Sequence, residues 1–403
     1  MRFRHNRRFT PAPRLRQSIA RGTALGLLGS AMLAAPMAAS WAGPTINYGD
    51  QGFVTLTYAL QIWTQYRGFT SPSDSGAITD TFLRRNRITL SGQYNDYVGF
   101  YAQLEAGNDG KNGNVDRSVY YRDAYLTLDY TDAVRFIGGR FKNTFSRENL
   151  EACLEPLTLD RAEVISYTPF GGSRDNGFAM WGNLANAKFQ YRVMVANGRE
   201  GDQVPKHEPR MTVRVHWSPL DPEYDYGYRG TYLGTRKVFT LGASYDYQAD
   251  VAYADYPLRR DQKNYSAYTV DAFLEYPTAS GTYTVSGAYF RYDVGNAINQ
   301  NPDPTLPVTT QLRASYVKGG YLLPNKVGLG RLQLFLRHEL SDYNLNSGLY
   351  DQTWNGAGFN YYINGQQLKI TFEYDHIKFN KQAPLNPALQ DYNQATLGFQ
   401  LIF

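Results

Sequence analysis

The last twelve residues, YNQATLGFQLIF (Tyr392 to Phe403), alternate in character from end to end. Counting back from Phe403, one side carries Leu401, Phe399, Leu397 and Ala395, and the other carries Ile402, Gln400, Gly398, Thr396 and Gln394. Successive side chains of a strand point to opposite faces, so this is a strand with one mostly apolar and one mostly polar side. QLKITFEYDHI (Gln367 to Ile377) repeats the pattern, with Leu368, Ile370, Phe372 and Tyr374 against Lys369, Thr371, Glu373 and Asp375. Apolar-out, polar-in segments of about ten residues, repeated along a chain, are the signature of a transmembrane β-barrel.

Working outward, sixteen such segments are expected: 53–66, 82–94, 98–106, 119–130, 134–140, 175–183, 187–197, 210–217, 236–247, 268–276, 282–292, 312–322, 330–340, 353–363, 366–377 and 392–403. Their connections alternate in length. NDY, TDA, LAN, PTASG and NGQ are short, whereas GFTSPSDSGAITDT, GNDGKNGNVDRS, NGREGDQVPKHEP, 248–267, 293–311 and KFNKQAPLNPALQD are long. Short periplasmic turns alternate with long extracellular loops in such barrels. SPLDPEYDYGYRGTYLG (218–234) breaks the rule, being long where a short turn is due. The aromatics Trp63, Tyr66, Tyr94, Tyr97, Tyr130, Trp217, Tyr247, Tyr276, Trp354 and Tyr392 fall near strand ends, as expected of interfacial girdles.

Residues 1–42 are a different material. MRFRHNRRFTPAPRLRQSIARG holds seven arginines and no acid, and the apolar run Ala24 to Ala35 is about 12 residues long. That is short of the roughly 20 needed for a spanning helix, and with the small-residue exit Ser40-Trp41-Ala42 it reads as a secretory signal peptide. The barrel domain is then 43–403. Without those seven arginines, 34 of the 41 Lys+Arg face 36 Asp+Glu, a slightly acidic balance that excludes a nucleic-acid reading of the isoelectric point of 8.9. The single cysteine, Cys153, leaves no internal disulfide, and a closed sheet in a membrane supplies stability instead. Mean hydropathy is −0.49, which excludes a helical membrane protein.

The longest interruption, 141–174, follows the fifth expected strand and is expected to fold inward as a third loop that narrows the pore. Within it SRENLEACLEPL opens on a capping-box pattern, Ser146 with Asn149, and predicts a short helix. Its bases Lys142, Arg147 and Arg161 oppose the constriction acids Glu148, Glu151, Glu155 and Asp160, with Glu163 beyond. Opposed charges create a transverse field, whereas rings of one sign exclude the other.

In FLRRNRITLSGQY (Phe82 to Tyr94), Arg85, Arg87, Thr89, Ser91 and Gln93 share one face and Arg84, Asn86, Ile88, Leu90 and Gly92 the other. A lipid-facing Arg at the midplane costs about 2–4 kcal/mol. Arg85 and Arg87 are therefore assigned to the lumen and Arg84 to the extracellular rim, within reach of headgroup phosphates or lipopolysaccharide. Arg135, Lys188, Arg192 and Arg214 share the lumen parity, and Arg122 is ambiguous. Guanidinium forks suit phosphate or carboxylate, so these bases either guide anions or pair with Glu105, Asp123, Asp271, Glu275 and Glu373 to stiffen the wall.

The runs IGGRFKNTFSRENLE (137–151), LDRAE (159–163), FGGSRDNGF (170–178) and FLRRNRITLSGQYNDYVGFYAQLEAG (82–107) resemble the phosphate-selective porin O/P family. The matching motifs are Gly139-Arg140-Phe141-Lys142 with Phe145, Asp160-Arg161, and Arg174-Asp175-Asn176-Gly177. The resemblance implies a sixteen-stranded, trimeric outer-membrane porin with an inward third loop and an arginine ladder leading to a basic constriction. The acid-rich loop departs from that pattern. The expected function is a passive diffusion channel for small hydrophilic solutes, leaning toward phosphate-like anions, without cofactor or metal. A cation-leaning or non-selective pore, or a non-conducting barrel serving as scaffold or partner-binding surface, remains as an alternative. No HExxH, GxSxG, P-loop or CxxC occurs, so no enzyme is expected; His338 and His376 fall on the lipid side, and Asp221 to Gly227 reads as an ordinary turn.

Overall fold

The computed structural model describes residues 43–68, 77–106, 118–167, 172–297, 311–343, 351–380 and 391–403. The expected signal segment and the tips of several long connections lie outside them. The strands are β1 (Thr45–Tyr48), β2 (Gly52–Arg67), β3 (Ile78–Gln93), β4 (Val98–Ala106), β5 (Val119–Thr131), β6 (Val134–Lys142), β7 (Arg174–Leu184), β8 (Phe189–Ala196), β9 (Arg210–Trp217), β10 (Val238–Asp255), β11 (Arg260–Thr278), β12 (Gly281–Asp293), β13 (Leu312–Val327), β14 (Gly330–Tyr343), β15 (Gln352–Asn364), β16 (Leu368–Phe379) and β17 (Tyr392–Ile402). All sixteen expected segments are strands, β2 to β17.

Each of these pairs antiparallel with its chain neighbour, and β17 closes on β2 from Gln394↔Arg67 to Ile402↔Ala59. The result is a closed sixteen-stranded barrel. Closure removes the exposed sheet edge, which has no hydrogen-bond partner in lipid. The additional strand β1 forms a hairpin on β2 (Thr45↔Thr55), beyond the point where Tyr58 and Phe403 exchange backbone hydrogen bonds of 2.8 and 3.0 Å.

β9 shows the lateral design most cleanly. Met211, Val213, Val215 and Trp217 are exposed, whereas Arg210, Thr212, Arg214 and His216 are buried. An apolar exterior around a charged interior inverts a soluble protein and matches a barrel set in lipid. β16 and β17 follow the expected parity, with Phe399 and Tyr374 outside and Thr396, Gln400, Glu373 and Asp375 inside.

Three expectations are corrected. Residues 248–267, taken as a long loop, continue as a tall hairpin of β10 and β11, their register adjusted by an irregularity between Gln248 and Ala252. A bulge restores pairing after a break in register, so composition alone does not end the strands there. Trp63 is not an interfacial residue: it faces inward, edge-on to Phe82 with ring centroids 6.0 Å apart, and packs with Leu159. Lys188 is not on a strand wall but in the turn between β7 and β8, where Nζ donates to Pro219 O at 3.0 Å.

Candidate constriction and pore-lining site

Two segments lie against the polar face of the barrel. The first is the connection from β6 to β7, described over 143–167 and 172–173. Ser146 caps a one-turn helix, α1 (Arg147–Leu150), its Oγ accepting from Asn149 N at 2.9 Å, which the capping pattern anticipated. Beyond α1 the segment touches wall residues far apart in the sheet. Leu154 O accepts from Gln400 Nε2 at 3.0 Å and from Lys369 Nζ at 3.3 Å, and Leu157 O from Asn360 Nδ2 at 2.8 Å. Leu159 N donates to Glu373 and Glu163 N to Glu339, at 2.9 and 2.8 Å. Phe145, Ala162 and Val164 pack among Tyr265, Phe290, Tyr292 and Tyr316 of β11 to β13. Polar wall residues thus satisfy a backbone that forms no ladder of its own.

The second segment is the unexplained link between β9 and β10. It is not a surface excursion. Tyr226 and Tyr228 are buried with Phe141, Leu150 and Trp181, and the link meets the first segment backbone to backbone. Ala152 N donates to Tyr228 O at 2.8 Å, and Gly230 N to Glu155 O at 3.0 Å. Gly230 is needed for that approach, because a Cβ there would stand 2.4 Å from Leu157 N. The short-turn end of the barrel therefore also contributes to its interior.

Ion pairs fasten the junction. Arg147 grips Glu223 with both Nη atoms at 2.6 and 2.8 Å, and its Cζ lies 3.9 Å from the Phe273 ring centroid. Burial pushes the Glu223 carboxyl up, but Arg147 outweighs it and holds it at about 2. Arg192 donates to Tyr228 Oη at 2.5 Å and Tyr226 O at 2.7 Å, and Arg214 forks onto Asp271 at 2.6 and 2.8 Å.

Of the other expected bases, Arg85 meets Asp160 at 2.7 Å, Arg87 meets Glu105 at 2.9 Å and Cys153 Sγ at 2.7 Å, and Lys142 Nζ reaches Glu151 O at 2.5 Å. Arg161 donates to Asn149 O at 3.0 Å. Arg135 pairs with Asp132 at 2.7 Å and lies over the Trp181 ring at 4.8 Å, a ring that borders Tyr226 of the link. Of the acids, Glu148 pairs with Lys318 and Glu155 with Arg229, the latter at 3.2 Å. Glu151 is buried, and with Glu148 nearby its carboxyl is pushed up to about 8. Glu275 meets no base among the described residues; it accepts from Thr231 Oγ1, Tyr232 N and Gly234 N of the link, each at 2.8 Å.

Arg84 corrects the parity argument. Gln61 pairs with Arg85 but Ile62 with Leu83, leaving Arg84 as the extra residue of a bulge. It turns inward onto Asp160 at 2.6 Å and lies over Trp63 at 5.1 Å, so it is no rim residue. A bulge shifts parity for everything beyond it.

Two cavities flank the junction. The first is partly open and carries Arg87, Lys142, Arg174 and Arg229 against Asp123, Glu155 and Asp225. The second carries Asp160, Glu163, Glu373 and Asp375 against Arg67 and Arg337. Sequence reasoning missed Glu223, Asp225, Tyr228, Arg229, Lys318 and Arg337. The anomalous length and four tyrosines of the link (Tyr224, Tyr226, Tyr228, Tyr232) were the available signal. Arg174 was quoted for its motif but not assigned a place in the pore. No cluster of three or more potential metal ligands occurs among the described residues. Asp221 Oδ2 is instead engaged by Lys237 N, at 2.8 Å.

A closed barrel with an apolar belt and a charged interior defines the class of outer-membrane porins. The chain belongs to the phosphate-selective porin O and P family, whose sequence profile matches residues 56–403. It is an outer-membrane protein. Among solved structures it is similar to the outer membrane channel DcaP of Acinetobacter baumannii (16% identity, 90% of this chain and 100% of that one, TM-score 0.57). It is also similar to OmpF of Salmonella typhi (14%, 89% and 99%, TM-score 0.56) and to the trimer form of OmpT of Vibrio cholerae (11%, 88% and 100%, TM-score 0.53). No curated protein matches the chain in sequence.

Proposed function

We propose that this porin is a passive diffusion channel for small hydrophilic solutes whose constriction is built jointly by 141–174 and 218–237, with a lean toward phosphate-like anions. The observation that carries the lean is the first cavity, where the four bases Arg87, Lys142, Arg174 and Arg229 outnumber the three acids Asp123, Glu155 and Asp225. Arginine forks and an ammonium lining one space favour an anion over a cation. No catalytic step is needed, because wall charge and width do the selecting. The chain is assigned a cleaved signal peptide at 1–42, an outer wall against lipid and lipopolysaccharide, and a homotrimeric state by analogy with the OmpT trimer. The acid-rich second cavity supports a second reading, in which the lean is toward cations or absent. Reversal potential of the reconstituted protein in a KCl gradient decides between them: an anion-selective sign supports the first, a cation-selective or zero value the second. Absence of stepwise current would sink both in favour of a scaffold.

A further inference from the structure

Four polar residues stand in one row on the outer wall, toward its long-loop end. The pairings His338↔Asn355, Asn355↔His376 and His376↔Asn393 run unbroken across β14 to β17, and all four residues are exposed. Adjacent strands lie about 4.8 Å apart, so the row is about 14 Å long. His338 Nδ1 bonds Asn355 Oδ1 and His376 Nδ1 bonds Asn393 Oδ1, each at 2.7 Å. An amide oxygen only accepts, so each ring donates through Nδ1. The amide nitrogens of Asn355 and Asn393, both donors, have no partner among the described residues.

The next row toward the short-turn end is apolar. Leu336, Ala357, Tyr374, Ala395 and Tyr66 face one another there in that order. Tyr374 and Tyr66 are exposed, as rings of an interfacial girdle are. Ala357 lies beneath Asn355 between Leu336 and Tyr374, and Ala395 beneath Asn393 between Tyr374 and Tyr66, so a shallow trough opens under each amide. On the other side of the row, Lys378 shares the exposed face of β16 with His376. Lysine on the outside of a barrel is tolerated near the interface and costly at the midplane, which sets the polar row at headgroup level.

We propose that this row binds the phosphate of an outer-leaflet lipid, whose acyl chains lie in the two troughs. The outside of an outer-membrane barrel meets lipid, so the occupant is a lipid, and the donors select its headgroup. Two amide nitrogens and the Lys378 ammonium offer hydrogen bonds to an anionic oxygen, and hydrogen bonds to a charged group are the stronger kind. The site rests on the lipid-facing wall alone and is independent of the ion the pore prefers.

The test titrates the full-length protein in detergent with dioleoyl phosphatidic acid or dioleoyl phosphatidylcholine and counts bound lipid by native mass spectrometry. One hydrogen bond to a charged group is worth about tenfold, so phosphatidic acid is expected to bind about tenfold more tightly than phosphatidylcholine. Asn355→Leu with Asn393→Leu removes both amides and brings that preference to within about twofold, while the reversal potential stays parental. Ala357→Phe with Ala395→Phe fills the troughs and weakens both lipids; it serves where the first variant does not fold, and unchanged binding in it overturns the proposal. A parental protein without preference overturns it too, as does a preference that survives loss of the amides. If a second copy of the chain covers the row instead, the preference is absent and the amide substitutions loosen the oligomer. A shifted reversal potential would place the effect of the amides in the pore, and the lipid site would be lost.

Discussion

Replacing Arg147 by alanine removes a buried ion pair that joins the two inward segments. Arg147 and Glu223 are both buried and bind through two parallel hydrogen bonds of 2.6 and 2.8 Å. Removing one partner of such a pair costs about 3–5 kcal/mol, because the other is left charged and uncompensated. Glu223 keeps Tyr232 Oη at 2.6 Å and Thr240 Oγ1 at 2.7 Å, which places the loss near the lower end of that range. The substitution also removes the stacking of the guanidinium over Phe273 and Tyr228, at 3.9 and 4.5 Å. A loss of about 3 kcal/mol shifts the docked-to-released ratio of the link roughly hundredfold. Arg229 sits half-buried in that link, so trypsin cleavage after it reports the released state. Cleavage of Arg147→Ala is expected to be faster by up to about that factor when reclosing outruns cleavage, and single-channel conductance to rise. Arg147→Lys keeps the charge but not the fork, and falls between. Arg147→Ala with Glu223→Ala removes the orphaned charge and recovers part of the loss, which a double-mutant cycle measures. If Arg147→Ala leaves both the cleavage rate and the conductance at parental values, the two segments do not form one latched unit and the reasoning fails.

Arg85→Ala combined with Arg87→Ala leaves Asp160 and Glu105 with fewer bases and is expected to move the reversal potential toward cations; an unchanged potential would mean these arginines only fasten the loop. Asp160→Asn releases Arg84 and Arg85 from their shared carboxylate and shifts the potential the opposite way. A unit charge at contact distance in water is worth about 1 kcal/mol, so the permeability ratio changes by up to roughly fivefold. Glu151, raised to about 8 by burial and by Glu148, gains its charge as pH rises through that value. Selectivity is expected to drift toward cations between neutral and alkaline pH, and the drift disappears in Glu151→Gln. Because its folded value lies above its unfolded one of 4.5, the stability it contributes is complete below that pH and is lost as pH climbs through about 8.

The barrel was legible because its determinant is local. Alternation of period two in YNQATLGFQLIF says which side meets lipid without reference to any other residue, and sixteen repeats of it leave closure as the way to satisfy every strand. Legibility failed where one residue slips. The bulge at Arg84 is a register event between β2 and β3, visible only in the pairing Gln61↔Arg85 followed by Ile62↔Leu83, and it moves one arginine from the rim to the interior. The link 218–237 failed for a different reason. Nothing in DPEYDYG tells whether those tyrosines cover the outside or fill the inside. That depends on Arg147, Arg192 and Arg214, which arrive from a loop and two strands up to 76 positions away in the chain. Apart from Lys188, the bases assigned to the lumen by parity are buried, but their partners were settled by contacts of high sequence separation, as with Glu148 and Lys318, 170 positions apart. Selectivity in this barrel is accordingly a property of pairs rather than of residues. Most inner bases hold an acid, which cancels their long-range field, so under the proposed function the few unbalanced groups at the junction of the two segments set which sign of solute the pore prefers.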